Sequence, residues 1–107
     1  MTRTVDLVVV GAHAAAVAAV LEAARRDKRV LVVLRSSLAR DGTRLRRSLR
    51  TAGERVRRHV TVLPGAEVVC VDGVPSLEAV VIRRLRTGGL IGVNASAILF
   101  PPDHDEG

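Results

Sequence analysis

Two short stretches carry residues suited to holding phosphate. The first is Gly11-Ala12-His13-Ala14-Ala15-Ala16, which follows the apolar run Leu7-Val8-Val9-Val10 and opens an alanine-rich segment. A glycine between a buried strand and a helix permits a tight turn, and the first N–H groups of that helix, which lack partners within it, then face an anion. Ala16 is small enough for the close helix–strand packing such a turn needs. His13 stands where a second glycine ordinarily lets the backbone reach the phosphates. Its imidazole either obstructs that approach or donates a hydrogen bond to the anion. The second stretch is Leu34-Arg35-Ser36-Ser37-Leu38-Ala39-Arg40, at the end of the next apolar run. An acid at such a strand end accepts a bond from the adenosine ribose of NAD or FAD. None is present here. Arg35 and Arg40 instead offer charge-assisted bonds to a 2′-phosphate, and Ser36 and Ser37 add hydroxyls.

Gly11, Ala12, His13, Ala14, Arg35, Ser36, Ser37 and Arg40 therefore form a candidate dinucleotide site, with NADPH favoured over NADH and FAD disfavoured. The plain structural alternative is a strand–helix turn in which Gly11 serves geometry alone. No catalytic residue is identified. His13, His59 and His104 are scattered without metal-ligand spacing, and Cys70 has no partner for a disulfide or a redox pair.

The elements that must position these residues are legible as alternating patterns. Residues 7–10 and 30–34 are unbroken apolar runs of the kind found in strands buried on both faces of a parallel sheet. Between them, residues 13–27 are alanine-rich, with Val17, Val20, Leu21 and Ala24 on one helical face. A strand, a helix and a strand in so short a span place the two strands parallel. Residues 43–56 carry Leu45, Leu49, Ala52 and Val56 as a helical stripe, with Arg44, Arg46, Arg47, Arg50 and Arg55 mostly turned away and Gly53 weakening the late turns. Residues 59–63 read as a third strand, stopped by Pro64-Gly65. Residues 67–71 break at Asp72-Gly73, a hairpin signal, before strands at 77–85 and 90–100, the last bent near Asn94. The expected fold is a Rossmann-like α/β domain of three layers: a βαβαβ parallel sheet with a β-meander crossover. A single domain spans 1–107, with 101–107 a frayed acidic tail.

Composition narrows the function. Hydrophobic residues make up 48% of the 107, which suits a packed globule rather than disorder. The apolar runs are too short to span a bilayer and the start lacks a secretory pattern, so the expectation is a cytoplasmic protein without membrane contact. Seventeen Lys and Arg against eleven Asp and Glu give a net charge of +6, concentrated between Arg25 and Arg58. That excess suits an anionic partner or a solvated arginine-rich helix surface. A nucleic-acid role through residues 44–58 is disfavoured, because Phe100 is the one aromatic residue available for base stacking.

From about Val5 to Phe100 the chain resembles the NAD(P)-binding domain of the pyridine nucleotide-disulfide oxidoreductases, particularly the thioredoxin-reductase-like group. In that group the second strand ends in His-Arg-Arg with a further arginine downstream. The pattern falls on Leu34, Arg35, Ser36 and Arg40, so the first and last arginines are retained. The chain departs at His13, at Phe100-Pro101-Pro102 where a glycine is usual, and in lacking the redox cysteine pair and an FAD domain. The resemblance implies a domain that holds NADPH as hydride donor for a flavin located elsewhere, on a partner chain or a missing domain. Oxidoreductase activity would then arise only in a larger assembly, whether with a flavin-bearing partner or as a homo-oligomer. The rival reading is a degenerate Rossmann-like domain without cofactor, acting as a protein-interaction module.

Overall fold

Val30, Leu31, Val32, Val33 and Leu34 are all buried, as expected of a strand covered on both faces. The computed structural model describes residues 3–35, 40–73 and 78–100. Its elements are β1 (Arg3–Val10), α1 (Ala14–Arg25), β2 (Val30–Leu34), α2 (Arg40–Ala52), α3 (Glu54–Arg58), β3 (Val60–Pro64), β4 (Ala66–Asp72), β5 (Glu78–Arg84) and β6 (Leu90–Leu99). They build one six-stranded sheet in the order β3-β2-β1-β6-β5-β4. β3, β2, β1 and β6 run parallel, while β4 and β5 are antiparallel to their neighbours. This is the expected Rossmann-like α/β architecture.

Side-chain alternation divides the core in two. Val30, Val32 and Leu34 pack with Val9 against Val17, Val20 and Ala24 of α1, Leu45 and Leu49 of α2, and Val56 of α3. Leu31 and Val33 point the other way and meet Val8, Ala66, Val80, Ile82 and Val93. β5 is thus hydrogen-bonded to β6 and also packed on the face of β2. Both can hold only if the sheet folds over along β6, whose residues 90–95 pair with β5 and 93–99 with β1. The overlap includes Asn94, where the sequence suggests a bend. Helices, parallel strands and meander are the three layers.

One local feature differs from the expectation drawn from the sequence. The helix expected over 43–56 is interrupted at Gly53, whose φ of +102° is open to glycine and strained for other residues. α3 starts afresh behind it. The hairpin expected at Asp72-Gly73 is present: β4 and β5 pair antiparallel, with Asp72 opposite Ala79. No described helix is long and apolar enough to cross a bilayer.

The end of α1 is closed by Asp27 at φ +63°, with Asp27 N–H donating to the Ala24 carbonyl (3.0 Å) and Lys28 N–H to that of Ala23 (3.1 Å). This reciprocal pair terminates a helix through a left-handed residue, usually glycine. Here the carboxylate compensates by accepting from Arg55 Nη2 at 3.2 Å on both oxygens, which ties α1 to α3. Asp27→Ala keeps the left-handed backbone and loses the tie, so urea denaturation should register a loss of about 1–2 kcal/mol. Asp27→Gly removes strain and tie together and should stay within about 1 kcal/mol of the parent. Equal effects from the two substitutions would show that the backbone conformation is not the controlling factor.

Candidate dinucleotide site

β1 is flanked by β2 on one side and β6 on the other, and the chain moves outward through β2 and β3 before returning to β6. In open α/β sheets a ligand crevice lies beyond the carboxyl ends of the strands, where the order reverses this way. Gly11 occupies that point. Its N–H extends the ladder to the Val33 carbonyl at 2.9 Å, and its φ of +96° then swings the chain off the sheet. Ala12 and Ala16 are buried against the strands, as close helix–sheet packing requires, while Ala14 and Ala15 are exposed.

His13 is the N-cap of α1, with extended backbone (φ −67°, ψ 172°) and no capping bond from its side chain. The first intrahelical bond runs from Val17 N–H to the His13 carbonyl at 2.9 Å. The N–H groups of the first turn therefore have no acceptor within the helix, and the turn contains no acid to compete for them. His13 is partly exposed, and its Nε2 is withdrawn from solvent. The Nε2 end of the imidazole is thus covered by protein.

At the neighbouring strand end, Arg35 leaves β2 with its side chain 77% exposed. Ser36 and Ser37 lie outside the described residues, and Arg40 is described only as the first residue of α2. Of the eight candidate residues, the fold brings Gly11, Ala12, His13, Ala14 and Arg35 to the carboxyl edge of adjacent strands.

Residues that the sequence reading did not single out also reach this edge. Gly65 (φ +67°) reverses the chain after β3, so that Glu67 of β4 comes within 3.9 Å of Arg35 Nη2. Glu67 also accepts a hydrogen bond from Arg83 Nη2, its register partner on β5. The Arg83 bond holds the Glu67 carboxyl below the ordinary carboxylate range, opposed by partial desolvation and assisted by the charges of Arg83 and Arg35. A depressed carboxyl stabilises the fold above its unfolded-state value, and that contribution fades as pH falls through the lowered folded-state value. No spacing signal links Glu67 to Arg35; a fold-level turn creates the contact. Beyond the end of β6, Phe100 is 51% exposed on the same edge.

A groove of about 410 Å³ runs elsewhere, along α1 between Ala19, Glu22, Ala23 and Arg26 and the Asp6–Leu7 and Ser96 positions of β1 and β6. It does not include the Gly11 turn, and the chemistry of the strand ends has no counterpart there.

No protein-family model matches the chain, and no curated protein does. Solved structures do resemble it. L-proline dehydrogenase from P. horikoshii superposes with a TM-score of 0.72 at 13% identity, over 94% of this chain and 23% of that one. The rebeccamycin biosynthetic enzyme RebC with reduced flavin gives 0.70 at 12%, over 95% and 33%. Thioredoxin reductase from Streptococcus pyogenes gives 0.67 at 22%, over 92% and 31%. The chain thus shares a fold with one segment of these oxidoreductases and spans about a quarter to a third of their length.

Proposed function

We propose that this chain is the nicotinamide-dinucleotide-holding domain of an FAD-dependent oxidoreductase, with NADPH as its preferred cofactor and the flavin carried elsewhere. The observation that carries this reading is the Gly11 turn, which opens the acid-free N-terminus of α1 into the crevice where the strand order reverses. The residues fit such a cofactor: the first helical turn, whose Ala14 and Ala15 are exposed residues, offers backbone donors without helical acceptors to a pyrophosphate, and Arg35 suits a 2′-phosphate at the ribose end. Bound NADPH would supply a hydride; the chain's own part is to hold and orient it. Likeness to thioredoxin reductase and proline dehydrogenase over one segment supports a nucleotide-binding fold of the oxidoreductase type.

The direct experiment is calorimetric titration with NADPH, NADH and FAD, since the chain has no Trp or Tyr to report by fluorescence. Binding of NADPH ahead of NADH, with FAD weak or silent, is the expected order. If no dinucleotide binds at millimolar concentration, the domain acts through protein contacts instead.

His13 limits affinity in this reading, because a side chain stands at the position where a second glycine would let phosphate reach the backbone. His13→Gly is expected to tighten dinucleotide binding about tenfold. At an N-cap, outside the helix proper, glycine is an accepted residue, so the melting temperature should change little. Abolished binding with an intact fold would instead make the imidazole a phosphate ligand.

A further inference from the structure

We propose that Glu67, contributed by the meander, sets how strongly the site discriminates between the phosphorylated and unphosphorylated dinucleotides. This inference rests on the cofactor assignment above and names a specificity determinant within the same site.

The argument begins with placement. Leu34 pairs with Pro64, so β2 and β3 end level with one another. Gly65 then turns the chain, and its carbonyl accepts from Leu85 N–H at 2.9 Å, which fixes the turn to the far end of β5. Glu67 follows two residues later. The second strand of a dinucleotide fold normally supplies the carboxylate that reads the ribose. Here β2 ends in Arg35, and a carboxylate arrives at that strand end from β4 instead.

The three charged groups are not equally mobile. Glu67 is 20% exposed and bound by Arg83 inside the meander, so its position does not depend on Arg35. Arg35 is a long, solvent-exposed arm reaching to within 3.9 Å of it. A 2′-phosphate drawn to Arg35 therefore comes within a few ångströms of a fixed negative charge, whereas a 2′-hydroxyl meets a ready acceptor. Glu67 works against the preference that Arg35 creates. Neutralising it would leave Arg35 and Arg83 as two cations with no carboxylate between them.

Glu67→Gln should raise the ratio of NADPH to NADH affinity about tenfold, the scale of a dianion's interaction with one charge several ångströms away in a solvated site. Glu67→Asp retains the charge and should leave the ratio near that of the parent chain. Calorimetric titration of all three proteins with NADPH and with NADH, each checked by thermal melting, reads both numbers. If Glu67→Gln binds both cofactors at the parent ratio, or weakens both together, the specificity role is overturned while the cofactor assignment stands. If none of the three proteins binds either cofactor, the assignment fails and this inference fails with it.

Discussion

Replacing Leu45 with alanine should remove about 3 kcal/mol of stability, within the range of about 2–5 kcal/mol found for deleting a fully buried leucine side chain. Leu45 is completely inaccessible and packs in the cluster shared by α1, α2, α3 and β2. Its neighbours Arg44, Arg46 and Arg47 are exposed, so α2 is held to the sheet chiefly through Leu45 and Leu49. An arginine-rich helix of this length has little reason to persist in water without that apolar stripe. Because a domain's whole stability is about 5–15 kcal/mol, the loss should be evident in urea denaturation. Leu90→Ala is the control: Leu90 is 67% exposed and should change stability by less than about 0.5 kcal/mol. A Leu45→Ala loss below about 1 kcal/mol would mean that α2 is not packed as described.

Arg35→Ala carries the other large effect, on binding. A charge-assisted contact to a phosphate is worth about 1.5–3 kcal/mol, so NADPH affinity should fall roughly ten- to a hundredfold. NADH has no 2′-phosphate, and its affinity should barely move. The variant also leaves Glu67 facing the ribose without a competing cation from β2, which turns the preference toward NADH. Calorimetric titration with both cofactors decides the matter, and the NADPH effect should shrink as salt is raised. Parallel weakening of both would place Arg35 in a general role unrelated to the 2′-phosphate.

The architecture was readable because β2 and the first half of the chain carry unambiguous periods. An apolar run with no polar interruption has few homes other than a doubly covered strand, and alanine-rich α1 has few homes other than a helix. Gly53 was visible as a weak point, but whether a glycine merely loosens a helix or breaks it depends on the backbone angle the tertiary packing imposes. The meander was visible as a third layer, while the particular residues it brings onto β2, such as Val80 and Ile82 near Leu31 and Val33, were not, because no residue type encodes the register at which a hairpin covers a face. The candidate site divides along the same line. Gly11, His13 and Arg35 sit at element boundaries, and boundaries are local in sequence. Glu67 reaches Arg35 through the Gly65 reversal and meets Arg83 through a cross-strand pair, both products of the completed fold. Asp27 belongs to the same class: the Arg55 that binds its carboxylate arrives from a later helix.

The fold-over along β6 has a kinetic consequence. β1 is the first of the described strands and its partner β6 the last, as in the pairing of Leu7 with Ala97. A chain made from its N-terminus can assemble β1, α1, β2, the two further helices and β3 early, but one edge of β1 stays raw until β6 has been made. Seams of such long sequence separation delay folding, because the entropy of closing the loop is lost before any contact repays it. Until β6 docks, the open backbone of β1 is a template for pairing with other chains. Refolding should therefore be slow for a chain of this size, with a yield that drops as protein concentration rises.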